Sequence, residues 1–189
     1  CSSDLLTVEL LSLQDDVGST FPAQAQIGVG AIFHAAALTD NGSVLLSGGY
    51  GRIEDAEPAG ALPQNPSASV EMWSVENGSL VRSCTDNLAE GRGFHTATTV
   101  GRRAVFVGGH GPSGQPLATA EVAVLALGAT CFAQPAQTQM MSDPRSSHAV
   151  AKIESSGEIL IVGGRRRESG TDFGQSLSTA EIFSPKREP

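Results

Sequence analysis

Residues 92–121 read RGFHTATTVGRRAVFVGGHGPSGQPLATAE. The stretch holds an apolar strand opened by His95, a short turn at Gly101 and Arg102, a second strand ending in Gly108 and Gly109, a loop, and a third strand with an Ala120-Glu121 step. The same order precedes it, from His34 through Gly48 and Gly49 to Glu71. It also follows it, from His148 through Gly163 and Gly164 to Glu181. The histidines stand 61 and 53 residues apart and the glycine pairs 60 and 55. Spacing of this regularity marks a repeat, with one supersecondary unit per period of about 50 residues.

Composition agrees with a strand-built unit. There are 22 glycines and 10 prolines, aromatics are 5% of the chain, and the apolar runs are short and rich in Val, Ile, Leu and Ala. Many strands joined by tight turns follow, and hence an all-β fold. In the first unit HAAAL is a strand, the turn contains Asn41-Gly42, and SVLLSGG returns. The glycine pairs end strands because they take positive φ and let neighbouring backbone approach. SVEMWSV is the third strand and SLVRSC the fourth. In the second unit TCFAQ is read as the fourth strand, and the third unit has none.

Residues 5–13, LLTVELLSL, have nearly helical leucine spacing. The repeat overrules that reading. Thr7-Val8-Glu9-Leu10 aligns with Ser69-Val70-Glu71-Met72, Thr119-Ala120-Glu121-Val122 and Thr179-Ala180-Glu181-Ile182, which makes it a third strand. The chain divides into 1–30, a leader with the third and fourth strands of a preceding unit, then units at 31–88, 89–141 and 142–189. Apolar residues on both strand faces imply sheets packed on each side.

A net charge of −8 and a pI near 4.9 argue against a nucleic-acid partner, because phosphate contacts need Lys and Arg gathered on one face. No apolar run approaches the roughly 20 residues of a membrane-spanning helix, so no transmembrane span is expected. The chain opens on Cys1-Ser2-Ser3-Asp4. A cysteine before a short polar leader resembles the mature end of a bacterial lipoprotein, which makes Cys1 a lipid-anchor candidate; a fragment boundary explains it equally. Cys84 and Cys131 form an even pair, compatible with an oxidising compartment. The expected location is extracellular, periplasmic or outer-membrane-associated.

The Arg-x-x-His openings at Arg92–His95 and Arg145–His148, the strands ending in Gly-Gly, and the Ala-Glu-apolar strands at Ala120 and Ala180 resemble the kelch family, including bacterial kelch domains similar to the galactose oxidase propeller. Ala31 replaces the arginine ahead of His34, and Val70 replaces alanine in the first unit. The resemblance implies β-propeller blades of four antiparallel strands, about three of them, incomplete at both ends. Closed propellers have four to eight blades. Further blades are therefore expected from the rest of a larger protein or from another copy. Equivalent outer strands of neighbouring blades diverge, which predicts that Cys84 and Cys131 lie beyond the roughly 7 Å Cα separation a disulfide tolerates.

His34, His95 and His148 recur once per unit, which favours a packing role over metal binding. Glu71, Glu121 and Glu181 recur likewise, and a glutamate between packed sheets needs a partner; Arg92 and Arg145 are the candidates. A galactose-oxidase-like copper site needs two tyrosines, and Tyr50 is the one tyrosine here, so that chemistry is excluded for this segment. The glycines of 108–114 lead into a loop and not a helix, unlike a phosphate loop. No catalytic residue, metal or cofactor is assigned. The unrepeated Tyr50, Arg52, His110, Arg165, Arg166 and Arg167 follow the glycine pairs and are the candidates for binding, on loops that gather on one face. The expected function is a non-catalytic scaffold for a protein, or for an acidic or carbohydrate ligand. The alternative is part of a carbohydrate-binding or carbohydrate-active propeller enzyme whose site lies outside this chain.

Overall fold

The computed structural model describes residues 7–12, 19–27, 32–51, 65–126, 131–166 and 174–185. These form strands only: β1 (Thr7–Ser12), β2 (Ser19–Gln26), β3 (Ala35–Leu38), β4 (Val44–Ser47), β5 (Ser69–Glu76), β6 (Ser79–Asn87), β7 (Thr96–Val100), β8 (Arg103–Val107), β9 (Thr119–Val124), β10 (Gln137–Met140), β11 (Ala149–Ile153), β12 (Glu158–Val162), β13 (Arg165–Arg166), β14 (Gln175–Ser176) and β15 (Ala180–Phe183). Among the described residues, no helix is long and apolar enough to cross a membrane.

Two four-stranded antiparallel sheets run β3-β4-β5-β6 and β7-β8-β9-β10, and a three-stranded sheet runs β11-β12-β15. β1 and β2 form an antiparallel pair before them in the chain. Tight turns fix the registers. Val100 pairs with Arg103 across Gly101 (φ 57°), and Glu76 pairs with Ser79 across Asn77 and Gly78, both at positive φ as a two-residue hairpin of primed type needs.

The sheets stack face to face with their first strands β3, β7 and β11 side by side. The two-residue period of a strand explains how one sheet serves two neighbours. In β8, Ala104 and Phe106 point back to a core with Leu45, Val70 and Met72 of the first sheet. Val105 and Val107 point forward to Ile159, Ile161 and Phe183 of the third. All four are fully buried. On the back of the first sheet, Leu46 and Trp73 pack with Ile27, just beyond β2, and β2 lies beside β6.

Two expectations are corrected. The fourth strand of the second sheet is Gln137–Met140 and not TCFAQ. Cys131 lies ahead of it, in a crossing segment that reaches over the first sheet: Phe132 bridges to Leu125, and its N–H donates to the Asp86 carboxylate on β6 at 3.0 Å. Cys84 and Cys131 are consequently 5.3 Å apart at Cα and form a disulfide. Divergence of equivalent outer strands does not keep the two apart, because Cys131 lies ahead of the outer strand of its sheet and not on it.

Candidate functional site

The first two glycine pairs each join two sheets. Gly49 N–H donates to the Arg92 carbonyl and Gly109 N–H to the Arg145 carbonyl, both at 2.9 Å. The first glycine of each pair makes the approach feasible. A Cβ on Gly48 would stand 2.2 Å from the Arg92 oxygen, and one on Gly108 2.3 Å from that of Arg145, with the next sheet's histidine ring beside each.

The repeated arginines and glutamates brace, within each unit, the segment whose backbone makes the junction. Arg92 is wholly buried; its guanidinium donates to the carbonyls of Gly108 and Thr119 and to Glu121, and Arg145 makes the same set with Gly163, Thr179 and Glu181. The glutamates also accept backbone N–H groups, Ala89 and Glu90 on Glu121, Ser142 and Asp143 on Glu181. Burial pushes the Glu181 carboxyl up, but the hydrogen bonds from Ser142 and Asp143, with Arg145, outweigh it and hold it below the usual carboxylate range. In the first sheet, where Ala31 stands in place of the arginine, Glu71 is held by Trp73 Nε1 at 3.0 Å and by Arg82 of β6 at 2.7 Å.

His95 and His148 are buried against the preceding sheet, Nε2 of His95 on Ser47 Oγ and Nε2 of His148 on Thr96 Oγ1, each at 2.8 Å. Burial, reinforced by the Arg92 charge, lowers the pKa of His95 to about 3; burial and Arg145 lower that of His148 to about 4. Both are neutral spacers. His34 is exposed, because among the described residues no preceding glycine pair covers it.

The binding candidates do not form one exposed set. Tyr50 is 1% exposed: it bridges to Ile32, and its ring fills the space that Gly93 leaves by lacking a Cβ. Burial pushes its phenol up to about 12, and among the described residues its hydroxyl takes no hydrogen bond. His110 bridges to Gly93 and to Pro116, and its Nε2 meets Ser146 Oγ at 3.0 Å. Arg165 and Arg166 form β13, paired with β14, so the ends of this loop are a ladder. Arg166 donates to Gln175 and lies 3.8 Å from Asp143. Arg52, Arg167 and Cys1 lie outside the described residues.

Sequence reasoning missed the residue ahead of each histidine. Phe33, Phe94 and Ser147 have φ of 56°, 56° and 52°, a region bulky residues rarely enter. Phe94 N–H donates to Phe33 C=O and Ser147 N–H to Phe94 C=O, so these residues link three sheets in series. Phe33 stacks on Phe94 at 3.9 Å, with Tyr50 and His110 at its margin. The signal available was positional, one residue before each repeated histidine.

At the opposite strand ends, where the turns of β7-β8 and β11-β12 meet Ser184, lies a groove of about 600 Å³ bordered by Arg103 and Glu158. Serines 184 and 156 hydrogen-bond the Glu158 carboxylate and lower its pKa. No protein-family model matches the chain, and no curated protein does.

Proposed function

We propose that the chain is a segment of a kelch-type β-propeller, each sheet a blade, working as a non-catalytic binding scaffold through the loops after its glycine pairs. The observation that supports this is where the repeated chemistry goes. Buried Arg92 and Arg145 are committed to Glu121 and Glu181 of their own sheets, and buried His95 and His148 to hydroxyls of the sheet before, all hydrogen-bonded. The segments after the glycine pairs keep the same backbone bridges, Ile32 with Tyr50, Gly93 with His110 and Ser146 with Arg165, yet differ in side chain at each. Constant backbone under varying side chains is how a repeat array builds a binding face.

Arg165 and Arg166, followed in the sequence by Arg167, make the run suited to an acidic protein surface or an acidic carbohydrate, since the guanidinium fork binds carboxylate with two hydrogen bonds. The disulfide supports an oxidising, extracytoplasmic setting, with Cys1 as a lipid anchor. The test is retention on an immobilised poly-glutamate peptide at low salt. Wild type is retained, and R165A/R166A/R167A elutes early, with its unfolding free energy within about 0.5 kcal/mol of wild type, as for exposed substitutions. Equal retention of the two proteins places the binding face elsewhere.

A further inference from the structure

The forward side of the third sheet repeats the forward sides of the first two, without the occupant they have. Leu160, Val162, Ala180 and Ile182 hold the register positions of Val105, Val107, Ala120 and Val122, which are buried against the third sheet. Here Val162 is 45% and Ile182 62% exposed. Gly163 has φ of 66°, matching Gly48 and Gly108, yet a Cβ on it would meet nothing nearer than Leu177 O at 3.6 Å, whereas its counterparts would strike the next sheet's arginine carbonyl. Among the described residues, the Gly164 N–H has no acceptor and no backbone N–H donates to Ser147 C=O, although Gly49, Gly109, Phe33 and Phe94 make those bonds.

We infer that this side is an interface for another sheet of the same repeat, contributed by polypeptide beyond these residues and not by a second copy of this chain. The chain's own junctions define the occupant's chemistry. It has an opening backbone carbonyl that accepts from Gly164, a left-handed residue whose N–H donates to Ser147, a histidine over Gly163, and small or aromatic side chains, like Ala104 and Phe106, against Val162 and Ile182. A second copy would present the back of its first sheet. That back already carries Ile27 on Leu46 and Trp73, with β2 beside β6, so the third sheet of one copy would compete with the Ile27 segment of the other for the same place. The inference holds whether or not the loop face binds a ligand.

The probe is a synthetic peptide of residues 89–109, which carries Arg92, Phe94 and His95 and both inner strands of the second sheet. Hydrogen exchange of the 189-residue chain is followed with and without it. The expected result is exchange slowed at least tenfold at the Gly164 amide, saturable with peptide and lost in V162E/I182E, whose circular dichroism matches wild type. Absence of slowing overturns the inference. So does slowing that survives in V162E/I182E, which marks strand addition at the β15 edge. Self-association of the chain without peptide that V162E/I182E abolishes assigns the surface to a second copy and overturns the stated source.

Discussion

The guanidinium of Arg92 and the carboxylate of Glu121 are 0% and 1% exposed, so neither charge has water to fall back on. Removing one leaves the other buried and uncompensated, a loss of about 3–5 kcal/mol. Arg92→Ala is expected to lower the free energy of urea unfolding by that amount. Arg82→Ala is expected to do less, because the Arg82 side chain is 44% exposed and Glu71 keeps its bond from Trp73. The histidines set the acid response. Their folded pKa values lie below the 6.5 of the free side chain, so between about pH 6.5 and 4 the unfolded chain binds protons that the folded chain refuses, and stability falls as pH falls. Each contributes a slope of about 1.4 kcal/mol per pH unit there. Glu181 acts in the same direction, but only below the ordinary glutamate range. Urea midpoints measured against pH should therefore begin to drop near 6.5, and His148→Gln should roughly halve the slope above pH 4.5. A midpoint flat down to pH 4.5 would show that the histidines protonate in place. The pairs Arg92–Glu121 and Arg145–Glu181 were legible in the sequence because a buried charge needs a fixed partner and the repeat fixes both. Ser47, Thr96 and Trp73 were not, since a hydroxyl or an indole at those positions has no pattern to mark it. Tyr50 read as a loop residue because the glycine that houses its ring is Gly93, in the next unit.

At the level of the element, the strand ending in two glycines is the part most fully read from sequence. Its physical demand, positive φ together with backbone contact, admits one residue type. The structure divides that demand unequally, and this gives a graded expectation. Gly48→Ala and Gly108→Ala introduce both a strained φ and a clash with an arginine carbonyl. Gly163→Ala introduces strain alone, roughly 1–2 kcal/mol. Thermal unfolding should rank the first two as clearly more damaging than the third; three equal losses would mean that φ decides everything and the junction contributes little. The fourth strand of the second sheet is hidden in the sequence for an opposite reason. QTQM is polar and mostly exposed, so its place at the sheet edge is set by pairing with β9, while the apolarity of TCFAQ, which mimics a strand, serves the crossing to the first sheet. The disulfide went unforeseen with it. Hydrophobic pattern reports what is buried, and a buried crossing segment and a buried strand look alike in it.

Across the whole molecule, the sheets are joined by a short vocabulary of backbone bonds. At the junctions of the first sheet with the second and of the second with the third, a left-handed residue donates to a carbonyl of the preceding sheet, a glycine N–H donates to a carbonyl of the following one, and a histidine covers the preceding glycine. These bonds name no particular neighbour. Any unit that offers the same backbone groups can take any position in the series, so length is an independent variable, as in nearest-neighbour repeat arrays. A chain in which residues 89–141 are duplicated in tandem, with Cys131→Ala in the inserted copy, should fold with an unchanged circular-dichroism signal per residue and a cooperative unfolding transition. A drop in signal per residue would show that the sheets recognise one another individually. The grammar that joins the units is thus separable from the number of units joined: duplication of a gene segment can lengthen the series without new side-chain invention at any seam.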